Sequence, residues 1–246
     1  MRARMGAKMN AMSVIRTVIE TCSTNDDLAA SAREGAPEGL WLRAERQSGG
    51  RGRQGREWHS PAGNLYASTL VRLRPGDPPA PTLALVAAVA LHEVASAFAA
   101  GAEIEIKWPN DLMAGGAKLS GILLERLEDA VIVGFGVNLA EHPDQTERPA
   151  TSFAALGGAP EPALFMQALA ESFGRWLARW REEGVEPVRM RWLAAAHPPG
   201  TALSTHTASG AWVEGVFDGL EEGGALRLRV ADGSSRVIHA GDVFLK

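Results

Sequence analysis

Apolar and polar positions alternate along the chain in ways that divide it into elements. Thr24-Asn25-Asp26-Asp27 ahead of Leu28-Ala29-Ala30 is a helix start, and small residues carry that helix to Gly35. The stretch 13–27 is mostly polar, so no secretory apolar region follows the first residues. Positions 40–46 alternate and predict a strand, and 65–73 predict a second. A proline-rich loop over 75–81 leads into an apolar helix, 83–100, closed by Gly101. Glu103-Ile104-Glu105-Ile106-Lys107-Trp108 alternates with period two, a half-buried strand stopped by Pro109. Two apolar runs, 119–127 and 131–139, joined by Glu128-Asp129-Ala130, predict a hairpin. Between 162 and 181, Leu164, Phe165, Ala168, Leu169, Phe173, Trp176, Leu177 and Trp180 recur at helical spacing, the stripe of a core-facing helix. A shorter helix over 188–196 ends at Pro198-Pro199-Gly200.

Beyond that double proline the texture changes. Residues 201–245 are short strands with turns at Ser209-Gly210, Gly223-Gly224 and Asp232-Gly233, which suggests a small β-barrel. So short a stretch makes a marginal core alone and is expected to lean on the larger domain. The division expected is a tail over 1–12, a main domain over 13–198 and a C-terminal module over 199–246.

Composition narrows the classes. With 46% hydrophobic and 22% charged residues, the chain of 246 is globular rather than disordered. A formal net charge of -4 excludes a general polyanion binder, though not a local basic patch. One cysteine, Cys22, excludes an intrachain disulfide and zinc sites built on cysteine pairs. The longest apolar run, 83–91, is half the ~20 residues that span a bilayer, and no secretory apolar region follows the first residues. A cytoplasmic protein without a membrane partner is expected.

The most informative stretch is Gln47-Ser48-Gly49-Gly50-Arg51-Gly52-Arg53-Gln54-Gly55-Arg56-Glu57-Trp58-His59-Ser60-Pro61. Five arginines and two glutamates between Trp41 and Ser60 make it net +3 in an acidic chain. Its glycines allow close backbone approach, and its N–H groups and guanidinium forks suit phosphate oxygens. A merely solvated loop would lose much entropy on ordering unless a ligand repaid it. Gly50, Gly52 and Gly55 satisfy G-x-G-x-x-G, but no helix opens afterwards, so a dinucleotide fold is rejected; no P-loop motif exists. Further clusters are ambiguous one at a time. Lys107-Trp108-Pro109-Asn110-Asp111 is either a site edge or plain turn chemistry. Lys118, opening Leu119-Ser120-Gly121-Ile122-Leu123-Leu124-Glu125, is either an electrophilic stabiliser or a strand-edge lysine that discourages aggregation. Ser23-Thr24-Asn25 is a helix cap or a set of polar groups aimed at a small ligand. Gly134-Phe135-Gly136-Val137-Asn138 permits close approach to a strand. No nucleophile elbow or metalloprotease motif occurs, the histidines are scattered, and aromatics do not interleave with the basic patch as stacking on nucleic acid requires.

Taken in order, these clusters resemble the biotin–protein ligase family over roughly 13–246. Gly-Arg-Gly-Arg-x-Gly-Arg-x-Trp followed by Ser60-Pro61 and Asn64-Leu65-Tyr66 is the most specific part, with Lys107 to Asp111 and Lys118-Leu119-x-Gly121-Ile122-Leu123. The resemblance implies an α+β fold: a mixed sheet packed with helices, of the class II aminoacyl-tRNA synthetase and biotin ligase kind, plus a C-terminal SH3-like barrel. It implies two steps: biotin's carboxylate attacks the α-phosphate of Mg-ATP, and a lysine of a biotin carboxyl carrier protein then takes biotin from biotinyl-5′-AMP. Ser23, Thr24, Asn25, Gln47, Gly50, Arg51 and Gly121 would meet biotin. Arg53, Arg56, Trp58, Asn110, Asp111 and Asn138 would meet ATP or the adenylate. Lys118 would bridge carboxylate and α-phosphate. Arg53 would retain the adenylate, and Asp111 would serve catalysis near the magnesium that arrives with ATP; no resident metal site is resolved. Repressor-type members carry a helix-turn-helix domain for which there is no room before residue 13, so DNA binding is not expected. A homodimer is among the forms the family resemblance allows. Two rivals stand beside this reading: a lipoate or octanoate ligase or transferase of the same superfamily, and a non-catalytic biotin or nucleotide sensor.

Overall fold

The computed structural model describes residues 14–99, 101–144, 148–206 and 212–245. The expected turn at Ser209-Gly210 and the tail over 1–12 lie outside these residues. The chain opens with β1 (Val14–Thr21), α1 (Thr24–Arg33), β2 (Leu40–Gln47), β3 (Leu65–Arg72) and α2 (Leu83–Phe98). Strands β4 (Ile104–Lys107), β5 (Asp111–Ala114), β6 (Ala117–Leu127) and β7 (Ala130–Val137) follow. Together these strands form one seven-stranded sheet in the order β1-β2-β3-β7-β6-β5-β4. Only β1 and β2 run parallel; the other pairings are antiparallel.

Alternation along the strands sends side chains to two different layers. Trp41, Ala67, Val71, Val133 and Phe135 join the main core beneath α2 and α3 (Pro162–Glu183). Leu40, Leu42, Leu70 and Ile132 face the opposite way and meet Leu28 and Ala32 of α1. Helix α2 is apolar almost all round because it is sandwiched, as a helix buried on all sides must be. By length and composition Ala80–Phe98 could cross a bilayer, yet 67% of that window is buried inside the protein. The predicted aromatic stripe of α3 is buried from Phe165 to Trp180, whereas Leu164 turns out 58% exposed, in the first turn beside the Glu161 cap.

Two strands were not anticipated. β1 is an edge strand whose residues are largely exposed, so its sequence reads as polar although six of its eight positions are β-branched. β5 begins at Asp111, immediately after the Pro109-Asn110 turn that the sequence suggested. The hairpin prediction holds: β6 and β7 pair along their length and turn at Glu128, which takes a positive φ of 53°.

After α4 (Glu186–Leu193), strands β8 (Ala202–His206), β9 (Trp212–Leu220), β10 (Leu226–Arg229), β11 (Ser235–Ile238) and β12 (Val243–Leu245) form the small antiparallel SH3-like module, order β11-β10-β9-β8-β12. Its Leu203, Phe217, Leu226 and Val243 belong to the same apolar core as the larger layer. Trp108 seals the join by donating from Nε1 to the Gly224 carbonyl at 3.1 Å.

Candidate active site

The expected site residues are drawn from five separate stretches, and folding brings all of them except Gly50, which packs behind against Ser60 and Gln47, to one cavity of about 840 Å³ on the α1 side of the sheet. Its floor is made by the N-terminus of α1 and the sheet beneath. Ser23 caps α1, its Oγ accepting from Asp26 N at 3.4 Å. Gln47 at the end of β2 accepts from both the backbone N–H and the hydroxyl of Thr24, at 2.9 and 3.1 Å. Ser68 donates to Asn25 Oδ1 at 2.6 Å, and Asn25 Nδ2 donates to Glu125 at 2.6 Å. Asn25 can lie flat here because Gly134 has no side chain: a Cβ there would stand 2.3 Å from Asn25 Oδ1.

The glycine–arginine stretch is a folded loop. Gly52 N–H donates to the Arg56 carbonyl at 2.7 Å and Trp58 N–H to the Gly50 carbonyl at 2.9 Å. Gln54 and Gly55 make the reversal with φ of 59° and 71°. Gly50 has a packing reason as well: a Cβ would lie 2.6 Å from Ser60 Oγ. Each arginine finds a protein carboxylate. Arg51 forks onto Asp26 with two 2.6 Å bonds and reaches Glu125 at 3.0 Å. Arg56 bonds Asp242 of the C-terminal module at 3.0 Å, while Arg53 lies 3.8 Å and Arg148 3.5 Å from the same carboxylate. Arg53 also donates to the Gly241 carbonyl at 3.1 Å.

These contacts shift the titrations. The Arg51 hydrogen bond holds the Asp26 carboxyl below the usual aspartate range. Burial pushes Asp242 up, but the Arg56 hydrogen bond and the charges of Arg56, Arg148 and Arg53 bring it down overall. Burial lowers Arg53, with Asp242 and Asp111 opposing.

The far wall carries a lysine–aspartate ion pair. Lys118 Nζ lies 2.7 Å from Asp111 Oδ1 and 5.4 Å from the centre of the Trp58 ring. The Trp58 indole rests on bare backbone: a Cβ on Gly136 would stand 2.5 Å from it, and one on Gly121 3.1 Å. Its Nε1–H is buried without a partner, a donor free for a ligand. Asn110 donates to the Ile122 carbonyl at 2.6 Å and faces Arg53 at 3.4 Å. Asn138 lines the cavity, but its amide donates to the Thr151 carbonyl at 3.0 Å, so it also anchors the following segment.

The anionic partners Asp26, Glu125 and Asp242 and the cation Arg148 were not anticipated as site residues. Asp26 sat in a capping pattern and Glu125 in an apolar strand, where charge alone gives no address. Asp242 is 186 residues from Arg56, a separation no local pattern bridges.

A cavity that joins a polar amide floor, a folded arginine loop and a lysine–aspartate pair can take a small ligand with an anionic tail. Comparison with known proteins agrees. Residues 19–138 match the Biotin/lipoate A/B protein ligase family and 208–246 the Biotin protein ligase C terminal domain. The chain is 39% identical over 236 residues to the biotin–[acetyl-CoA-carboxylase] ligase of Paracoccus denitrificans, covering 91% of this chain and 97% of that one. It is 35% identical to the protein of the same name from Mycobacterium tuberculosis, over 92% of this chain and 86% of the relative. Among solved structures it superposes on the Aquifex aeolicus biotin protein ligase in complex with biotin and ATP, with TM-score 0.83 and 25% identity over 95% and 98% of the two chains. The chain belongs to the biotin/lipoate A/B protein ligase family, in its biotin protein ligase branch.

Proposed function

We propose that this protein is an ATP-dependent biotin–protein ligase that acts on a lysine of a biotin carboxyl carrier protein, such as that of acetyl-CoA carboxylase, in the cytoplasm. One observation carries the reading: the amide floor, the arginine loop and the Lys118–Asp111 pair line the same cavity. Its volume of about 840 Å³ suits a ligand the size of an acyl adenylate. Ser23, Thr24, Asn25 and Gln47 would hold the polar head of biotin, and Gly121 would lend it backbone. Arg51, Arg53 and Arg56 would take over from protein carboxylates to hold the ligand carboxylate and phosphates. Lys118 would neutralise the charge that gathers between carboxylate and α-phosphate, and Trp58, Asn110 and Asn138 would border the nucleotide.

Among the described residues no group of three His, Cys, Asp or Glu could hold a metal. Asp111 and Asp242 are engaged by cations. The donor set would therefore accept magnesium as an ion carried in by the triphosphate, with Asp111 the side chain that would help hold it; magnesium would supply charge neutralisation there. In the chemistry left to the chain, the loop excludes water from the mixed anhydride until the acceptor amine arrives.

The test is one reaction read by intact mass: protein, ATP, magnesium, biotin and a carrier domain. Addition of a single biotin to the carrier is expected. Addition of lipoate or octanoate instead would move the chain to the rival activity, and biotin binding without pyrophosphate release would make it a sensor.

A further inference from the structure

The chain holds 25 lysines and arginines, yet only four are lysine: Lys8, Lys107, Lys118 and Lys246. The two side chains differ in a way that matters beside an activated acyl group. A lysine that gives up a proton has a nitrogen lone pair that attacks carbonyl carbon. A guanidinium stays charged, donates from every N–H and has no lone pair to offer. Lys8 and Lys246 lie outside the described residues. Between 14 and 245 the sequence has two lysines, and both are withdrawn from bulk water. Lys107 ends β4 opposite Asp111 of β5 and is only 5% exposed. Lys118 stands inside the cavity, where its nitrogen is tied up by Asp111 Oδ1 at 2.7 Å. On the outer surface arginine carries the positive charge even where nothing requires a guanidinium. From exposed positions, Arg74 meets Glu38 at 2.7 Å, Arg179 meets Glu183 at 3.1 Å and Arg175 meets Glu93. Arg229 is exposed on β10, 4.0 Å from Asp218. Exposed pairs of this kind add little stability, so lysine would be tolerated at each of them.

We propose that the outer surface of this protein is inert toward acyl adenylates, so that self-acylation by biotinyl-5′-AMP is confined to Lys8, Lys246 and the α-amine. The proposal rests on the ligase reading and extends it: the enzyme is not a bystander substrate of its own intermediate. In the step that the surface avoids, a neutral lysine nitrogen bonds to the acyl carbon and the bond from that carbon to the phosphate oxygen breaks. AMP leaves with the electron pair, and the amine gives one proton to water. Acylation of a lysine removes its charge. At Lys118 it would strand the Asp111 carboxylate, and on the surface it would break ion pairs one by one. With arginine in those pairs, the outer charges survive contact with escaped adenylate.

Purified protein is incubated with synthetic biotinyl-5′-AMP and, in parallel, with biotin, ATP and magnesium, both without a carrier. Biotinylated positions are then mapped by peptide mass spectrometry. Label is expected on Lys8, Lys246 and the α-amine, and not on Lys107 or Lys118. The same chain unfolded in guanidinium chloride should take the synthetic adenylate on Lys107 and Lys118 as well, because burial and the ion pair are then gone. The triple variant Arg74→Lys/Arg175→Lys/Arg229→Lys should melt close to the wild type and gain label at positions 74, 175 and 229, roughly doubling the biotin per folded chain. Label on Lys107 or Lys118 of the folded wild type at the level of Lys246 would overturn the proposal. So would protection of those two lysines that persisted on unfolding, or a triple variant that gained no label. A wild type that formed no AMP from biotin and ATP would instead overturn the ligase reading, while the synthetic adenylate would still decide whether the surface is inert.

Discussion

Replacing Lys118 by alanine separates catalysis from structure in this site. Lys118 and Asp111 are 2.7 Å apart, Asp111 is only 9% exposed at its side chain and Lys118 is 30% exposed. At an effective dielectric of about 20, two unit charges at that distance attract with roughly 6 kcal/mol, most of which desolvation takes back. Lys107, opposite Asp111, shares part of the orphaned carboxylate. The net destabilisation in Lys118→Ala should therefore be about 2 kcal/mol, nearer a charged hydrogen bond than a fully buried pair. Adenylation should fall by a larger factor, roughly 100- to 1,000-fold, because in the proposed reaction the ammonium would act on charge that develops in the transition state. The double variant Lys118→Ala/Asp111→Asn should recover most of the lost stability in thermal melts, since no carboxylate is left unpaired. It should recover none of the rate in single-turnover formation of biotinyl-5′-AMP. Normal single-turnover adenylation by Lys118→Ala would refute the assignment, and a rate that returned with stability in the double variant would show that Lys118 acts only as Asp111's counter-ion.

Three further outcomes follow from the loop. Arg53→Gly removes contacts to Asn110, Gly241 and Asp242 and should leak adenylate, raising biotin labelling of bystander lysines; unchanged labelling would remove the retention role. Glu125→Ala together with Asp26→Asn should free Arg51, speed tryptic cleavage over 51–56 and raise the biotin KM by roughly tenfold, the worth of about one charged hydrogen bond; a loop cut no faster than in wild type would mean these carboxylates do not hold it. Asp26 and Asp242 both fold with carboxyl pKa values below the ordinary 3.8, so their stabilisation is complete above that value and is lost as acid carries pH down through the folded values. Hydrogen exchange of the loop amides, corrected for the intrinsic pH dependence of exchange, should rise only in that acid range, and a rise between pH 5 and 8 would contradict the pairing.

Much of this architecture could be read from one-dimensional pattern. Helices α1 to α3, the β6–β7 hairpin and the strand-rich C-terminal module follow from periodicity and turn residues, which act over a few positions. The arginine loop, Lys118 and the polar head of α1 were visible because their chemistry is unusual for where they stand: glycine with arginine, lysine opening an apolar strand, short polar groups at a helix start. β1 escaped because an edge strand half out of water has no reason to alternate, so only its β-branched residues betray it.

The partners of the charges were another matter. The types and order of the site's cations are properties of the chain, but which carboxylate meets which guanidinium depends on how the module after α4 packs against the sheet. That packing brings Asp242 to Arg53, Arg56 and Arg148 through the shared apolar core, and strand register sets Lys107 across from Asp111. Ion pairs act over a few ångströms in space, and chain separation carries no information about that distance until the hydrophobic layers have closed.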